Sequence, residues 1–205
     1  MKLFKRTPKP FALPKSWDEV TLEQLEEINE IKKEFEDNQI RISINSLAIL
    51  MKRPISVVSS TYTLGQIYAL EAQVKFMDEL PPNKLVKSFK ANGKKYQVNY
   101  DVSGVTASQF ILMNHLMNKK SIRQNAEICA IFITEKGKPF DMEKHRDIAE
   151  DLYKHCPVSV IYPLSVFFCN LITLWSEVTK VYSQKEIITK LKDIQEAIQQ
   201  TINEK

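Results

Sequence analysis

Asp141 and His145 stand four residues apart in a stretch of helical periodicity, close enough for both to reach one cation, and His155 with Cys156 follows nearby. A metal centre needs three or four convergent ligands, whereas the adjacent side chains of His155 and Cys156 leave a helix in different directions. No metal site is therefore expected. His115 lies in an otherwise apolar helical stretch and reads as a structural histidine. The carboxylates from Glu23 to Glu36 could pair for acid–base work, but strung along one helix they read as a solvated face. The sequence contains no Walker loop, dinucleotide fingerprint, CxxC pair, HExxH helix or nucleophile elbow. The expectation is a protein without catalytic residues, metal or cofactor, and not an enzyme.

Binding chemistry is easier to find. Lys2, Lys5, Arg6, Lys9 and Lys15 precede the first acidic residue, Asp18, whereas 21–37 is strongly acidic, so the modest net charge of +4 is unevenly spread. Pro8, Pro10 and Pro14 keep this basic arm extended, and Phe4, Phe11 and Leu13 offer apolar docking points. No apolar h-region follows the basic residues, so a secretory signal is not expected. Cys129, Cys156 and Cys169, odd in number and apolar in setting, read as reduced core thiols of an intracellular protein.

The elements that would position these groups are mostly helices. Capping boxes, in which a Ser or Thr and a Glu or Gln three residues on satisfy the first amides of a helix, are legible at Ser16, Thr21, Thr63, Thr106, Ser121 and Ser183. Apolar periods predict helices from Thr21 (Leu22, Leu25, Ile28, Ile31, Phe35), over 39–51, from Thr63 towards Pro81, from Thr106, from Ser121 through Ile133, and from Asp141. A short helical turn is expected over 55–59. The charge-free run Cys156–Ser176 has the length of a bilayer span, but Pro163, Asn170 and its hydroxyls favour a buried core helix, with Pro163 as the place for a kink. Residues 183–203 form an amphipathic stripe, with Ile187, Leu191 and Ile194 prominent, suited to capping the core or to pairing with another chain. Capping is the favoured reading.

One segment breaks the helical period. Residues 85–91 and 94–100 alternate around Asn92-Gly93, the signature of a two-residue type I′ hairpin. That loop sets Phe89 against Tyr96, Leu85 against Tyr100 and Lys90 against Lys95. With Lys87 and Lys94, the lysines form either a cationic finger for a phosphate or acidic partner, or a solvated sheet face; their flexible stems favour the latter. The fold expected is mainly α: an extended arm (1–15), a helical core with one inserted hairpin at about 85–100 (16–182) and a C-terminal amphipathic helix (183–205).

Three stretches, LPKSWDEVTLEQLEEI (Leu13 to Ile28), FKANGKKYQVNYDVSGVTASQF (Phe89 to Phe110) and ICAIFITEKGKPFD (Ile128 to Asp141), carry a resemblance. Together they resemble a group of small tailed-bacteriophage proteins similar to tail-assembly chaperones and other virion morphogenesis factors. The group's pattern is a Pro-Ser-Trp-Asp-Glu lead into the first helix, here Pro14 and Ser16 to Glu19 with Lys15 interposed, then a G-x-x-Y hairpin (Gly93 to Tyr96) running into a Thr-x-x-Gln-Phe helix (Thr106 to Phe110). It spans Leu13 to Trp175 and leaves out the basic arm and the last helix. It implies a non-enzymatic protein that handles viral structural subunits, or copies of itself, in the host cytoplasm or the virion, and not at a membrane. The residues expected to meet partners are Lys5, Arg6, Phe11, Trp17, Lys90, Lys94, Lys95, Ile187, Leu191 and Ile194. The alternative is a nucleic-acid-associated accessory protein using the arm and the lysine face of the hairpin.

Overall fold

The computed structural model describes residues 12–101, 103–117, 121–181, 189 and 191–197. It is mainly helical with one small antiparallel sheet. Helix α1 (Leu22–Glu34) opens on a complete capping box: Gln24 Oε1 accepts the Thr21 amide at 3.1 Å and Thr21 Oγ1 accepts the Gln24 amide at 3.4 Å. The buried Gln24 then donates its Nε2 to the Ile49 carbonyl of α2 (Gln39–Met51) at 3.2 Å. Helix α3 (Ile55–Thr61) follows, and the same box, with Thr63 and Gln66, starts α4 (Leu64–Glu71). The pattern recurs at α5 (Ala107–Met117), where Gln109 caps with Thr106 and donates to Ile131 O of α6 (Ile122–Phe132) at 3.1 Å. Two capping glutamines thus end one helix's orphan amides and tie that helix to its neighbour.

The remaining boxes differ. Ser121 supplies its hydroxyl to the Gln124 amide, one half of the box. Ser16 accepts from Asp18, while Glu19 turns to the Lys15 amide at 2.8 Å, and a short 3-10 turn results at Trp17–Glu19. Ser183 lies outside the described residues.

The hairpin has the register the turn dictates. Strands β1 (Ser88–Ala91) and β2 (Lys94–Val98) pair Phe89 with Tyr96 and Lys90 with Lys95, and Asn92 and Gly93 both take positive φ, 47° and 71°. The ladder stops at Ser88–Gln97, short of Leu85 and Tyr100, although the Tyr100 hydroxyl still reaches Val86 O at 2.9 Å. A third strand, β3 (Ile133–Glu135), pairs with β2, so the end assigned to a helix by sequence is instead a sheet edge. The physical reason is that Ile133 leaves α6 in extended backbone (φ −115°, ψ 130°), which gives the otherwise open edge of β2 its hydrogen bonds.

Two further helix boundaries move. The helix expected from Thr63 to Pro81 gives way after Glu71 to a 3-10 segment, Ala72–Asp78, with Val74 out of helical geometry. That break turns Phe76 edge-on to Trp17, centroids 5.5 Å apart. The helix expected at Asp141 begins at His145, as α7 (His145–His155). Asp141 instead accepts the Glu143 amide at 3.0 Å and pairs with Lys144, a local side-chain bond that competes with helix formation.

Helix α8 (Val158–Val181) is the core helix. Its Val158–Trp175 window is long and apolar enough to cross a membrane, yet half of it is buried within the fold, including Ile161, Leu164, Phe168 and Ile172. Phe168 stacks on Phe132 of α6 with centroids 4.0 Å apart. The segment after the arm lies against the start of α8: Val158 N–H donates to Val20 O at 2.8 Å and Ser159 Oγ to Asp18 at 2.5 Å. Residues 191–197 are helical, with Leu191 and Ile194 half-buried against the core and Gln195 Nε2 donating to Asp101 at 3.2 Å, as a capping helix would.

Candidate functional site

The polar groups singled out by spacing do not converge. Asp141 is occupied by Lys144, His145 is buried with Nε2 2.8 Å from Glu127 O, and His155 is exposed. His115, read as a structural histidine, faces solvent because α5 buries Gln109, Met113 and Leu116 instead. Among the described residues no three His, Cys, Asp or Glu side chains are placed to hold one metal ion. The cysteines are free, and burial raises the pKa of each, so their thiolates are disfavoured. On α1, burial and the charges of Glu23 and Glu30 raise the Glu27 pKa, while Glu26 accepts the Tyr153 hydroxyl at 2.6 Å. The acid stripe is therefore partly used to hold α7.

The hairpin lysines separate into two groups. Lys90 and Lys95 are exposed, as a solvated face requires. Lys94 is not available in the same way: its Nζ lies 2.6 Å from Asp151 of α7. Asp151 is 9 % exposed and also accepts the Asn92 amide at 2.8 Å and the buried Tyr96 hydroxyl at 2.7 Å. Burial works against its charge, but the bonds from Lys94, Tyr96 and Asn92 outweigh burial and hold its pKa below the ordinary 3.8. This knot fastens the turn of the hairpin to α7, a role that no local motif announced because Asp151 is more than fifty residues from its partners.

The depressed Asp151 pKa makes the knot's contribution complete above pH 3.8 and lost as pH falls below that value through the lowered folded pKa. Tyr96 behaves oppositely. Burial, with the bond to Asp151, raises its pKa above 10.0, so its contribution is full below pH 10 and lost at more alkaline pH. Asp151→Asn is expected to destabilise by about 2 to 3 kcal/mol at pH 7, the scale of hydrogen bonds to a charged group. Urea unfolding checks this: the gap from the parent chain should narrow below pH 3.8, and equal stability at pH 7 would rule out the knot.

A groove of about 430 Å3 lies between α1, α2 and the α4–3-10 segment. Ile28, Ile42, Leu47 and Leu50 form its apolar floor, and Val74 and Met77 form one wall. Lys32, Glu71, Lys75 and Asp78 stand around it, with Glu71 bonded to Ser43 at 2.9 Å. Tyr68 lines the groove yet is 50 % exposed, and one turn earlier Leu64 is 55 % exposed. Ile55 and Val57 of α3 are exposed as well, but Ile55 lines a separate pocket with Ile49 and Lys52. Such a floor, mixed-charge rim and apolar approach suit a protein segment better than a small ion. Periodicity gave no warning of this exposure, because Leu64 stands three residues before the buried Ile67 and so shares its helical stripe.

Of the expected partner-contacting residues, Lys5, Arg6, Phe11 and Ile187 lie outside the described residues. Trp17 is buried against Phe76, Lys94 is bound to Asp151, and Leu191 and Ile194 face the core, whereas Lys90 and Lys95 are exposed. These positions are not gathered at one site. Comparison with protein-family models, with curated proteins and with solved structures gives no match to this chain.

Proposed function

We propose that the protein is a non-enzymatic assembly factor of tailed-bacteriophage particles that binds virion subunits, as a tail-assembly chaperone or as a resident ring, tail or cargo component. The groove beside the exposed Leu64 and Tyr68 is the observation that carries the docking role. The resemblance of the Leu13, Phe89 and Ile128 stretches supports the viral setting. In this reading the partners are viral structural proteins and further copies of the chain, the setting is host cytoplasm or virion, and α8 serves the core and not a membrane.

Leu64→Glu combined with Tyr68→Glu is expected to weaken binding to a purified tail or virion subunit by about tenfold or more, roughly 1.4 kcal/mol. Both side chains are half-exposed, so circular dichroism and the thermal midpoint should change little. Unaltered affinity in a folded double variant would remove the groove from the docking role. The nucleic-acid reading keeps the exposed Lys90 and Lys95, and it requires duplex binding that falls steeply with salt. Binding that is strong, salt-steep and indifferent to Leu64 and Tyr68 would favour it.

A further inference from the structure

We propose that the outer face of the sheet is a docking surface for helix α1 of a second copy of the chain, three lysines of one copy meeting three glutamates of the next. The inference rests on that part of the assembly reading in which copies of the chain are partners. Strand register builds the lysine side. Lys90 pairs with Lys95 across β1 and β2, and the Lys136 amide continues the β2–β3 ladder by donating to Lys95 O at 2.8 Å. The three therefore stand exposed in one row across three strands, about 9.6 Å from end to end. Ser88, Gln97 and Thr134 form the next row. This face carries no acid, since Glu135 sits opposite Tyr96 on the inner side and pairs with Lys138. Among the described residues none of Lys90, Lys95 and Lys136 forms an ion pair with a carboxylate. Like charges set side by side cost stability until a counter-charge covers them.

Helical period builds the glutamate side. Glu27, Glu30 and Glu34 of α1 are exposed and fall on one stripe, at spacings of three and four. Seven residues of helix span about 10.5 Å. With α1 laid across the strands, three carboxylates and three ammonium groups thus match in length as well as in charge. Lys32 and Lys33 leave α1 roughly half a turn and a quarter turn away from this stripe. Among the described residues no ion pair uses Glu27, Glu30 or Glu34. Burial, with the charges of Glu23 and Glu30, raises the Glu27 pKa, and a cationic partner relieves that repulsion.

The two faces cannot meet within one chain, because α7 stands between them. The inner side of the sheet reaches Asp151 through Tyr96, whereas α1 reaches Tyr153 through Glu26. Two residues of helix turn about 200°, so these contacts lie on opposite sides of α7. The lysine row, on the outer face of the sheet, looks away from both. A contact between such unlike patches leaves one free patch on each copy, and so closes a ring or extends a filament. The six side chains of the outer face include no arginine for bidentate phosphate contacts and no aromatic ring for base stacking, which favours a protein partner over nucleic acid.

Sedimentation velocity of the full chain tests the contact. One variant carries Lys90→Glu, Lys95→Glu and Lys136→Glu, the other Glu27→Lys, Glu30→Lys and Glu34→Lys. The expected result is self-association at low salt that high salt weakens, with affinity reduced about tenfold or more in each variant alone. Mixing the two variants should restore association, because each then offers the charges the other needs. All six side chains are exposed, so the circular dichroism of both variants should match the parent chain. A chain that stays monomeric at low salt, variants that associate as the parent does, or a mixture that fails to recover would each overturn the assignment. So would a lysine variant that loses binding to a duplex oligonucleotide while the glutamate variant self-associates unchanged, which gives the face to nucleic acid. Binding to a purified tail subunit is scored separately. Self-association without subunit binding keeps this contact and removes the wider assembly role, whereas subunit binding by a monomeric chain does the reverse.

Discussion

Phe168→Ala is expected to destabilise the fold by about 4 kcal/mol, the upper part of the range for truncating a buried aromatic. Phe168 is fully buried on α8 and lies nearly parallel to Phe132, 4° between planes and 4.0 Å between centroids. Tyr100, just after the hairpin, stacks 6.0 Å away and Phe167 meets it edge-on at 5.1 Å. One ring thus joins α8, α6 and the exit of the hairpin, and its loss leaves a cavity walled by rigid rings that cannot easily close in. Denaturant unfolding measures the effect, with Phe167→Ala, half-buried, as the milder companion. A loss below about 1.5 kcal/mol for Phe168→Ala would mean the centre repacks, contrary to this account.

Trp17→Ala is the second large effect, expected at about 3 to 5 kcal/mol. Trp17 is 7 % exposed, set edge-on to Phe76, and its neighbours hold the start of α8 through the Ser159–Asp18 and Val158–Val20 bonds. Removing the ring loosens the 3-10 segment, the arm's root and the α8 start together. Thermal or urea unfolding reads it, and a loss under about 1 kcal/mol would make Trp17 a surface residue in effect. Trp17→Phe separates apolar packing from hydrogen bonding. It should keep most of the stability, because the buried indole N–H has no acceptor among the described residues.

Much of the helical frame was legible because local chemistry and tertiary need agree. Thr21 with Gln24, Thr63 with Gln66 and Thr106 with Gln109 mark helix starts that the fold keeps, and Asn92-Gly93 fixes the hairpin register outright. The run from Pro157 to Trp175 was legible as core from its lack of charge, and α8 buries half of its apolar window. What local pattern missed depends on distant partners. Ile133 looks like the end of a helix until β2 offers it an edge, and Val74 looks helical until Trp17 needs Phe76. Asp151 resembles any acid in an amphipathic helix, and only the folded chain brings Asn92, Lys94 and Tyr96 to it. The groove was hidden for the same reason, since its floor comes from α1 and α2 and its wall from a segment whose course no periodicity foretold.

The central claim, a role in virion assembly through protein contacts, is tested most directly by quantitative mass spectrometry of purified phage particles and of the matching infected-cell lysate. The expected result is this chain at a fixed ratio to the portal or major tail protein in particles, or in the lysate bound to a tail subunit and absent from particles. The first outcome makes it a resident component and the second an assembly helper. Absence from both particles and tail-subunit complexes would contradict the account.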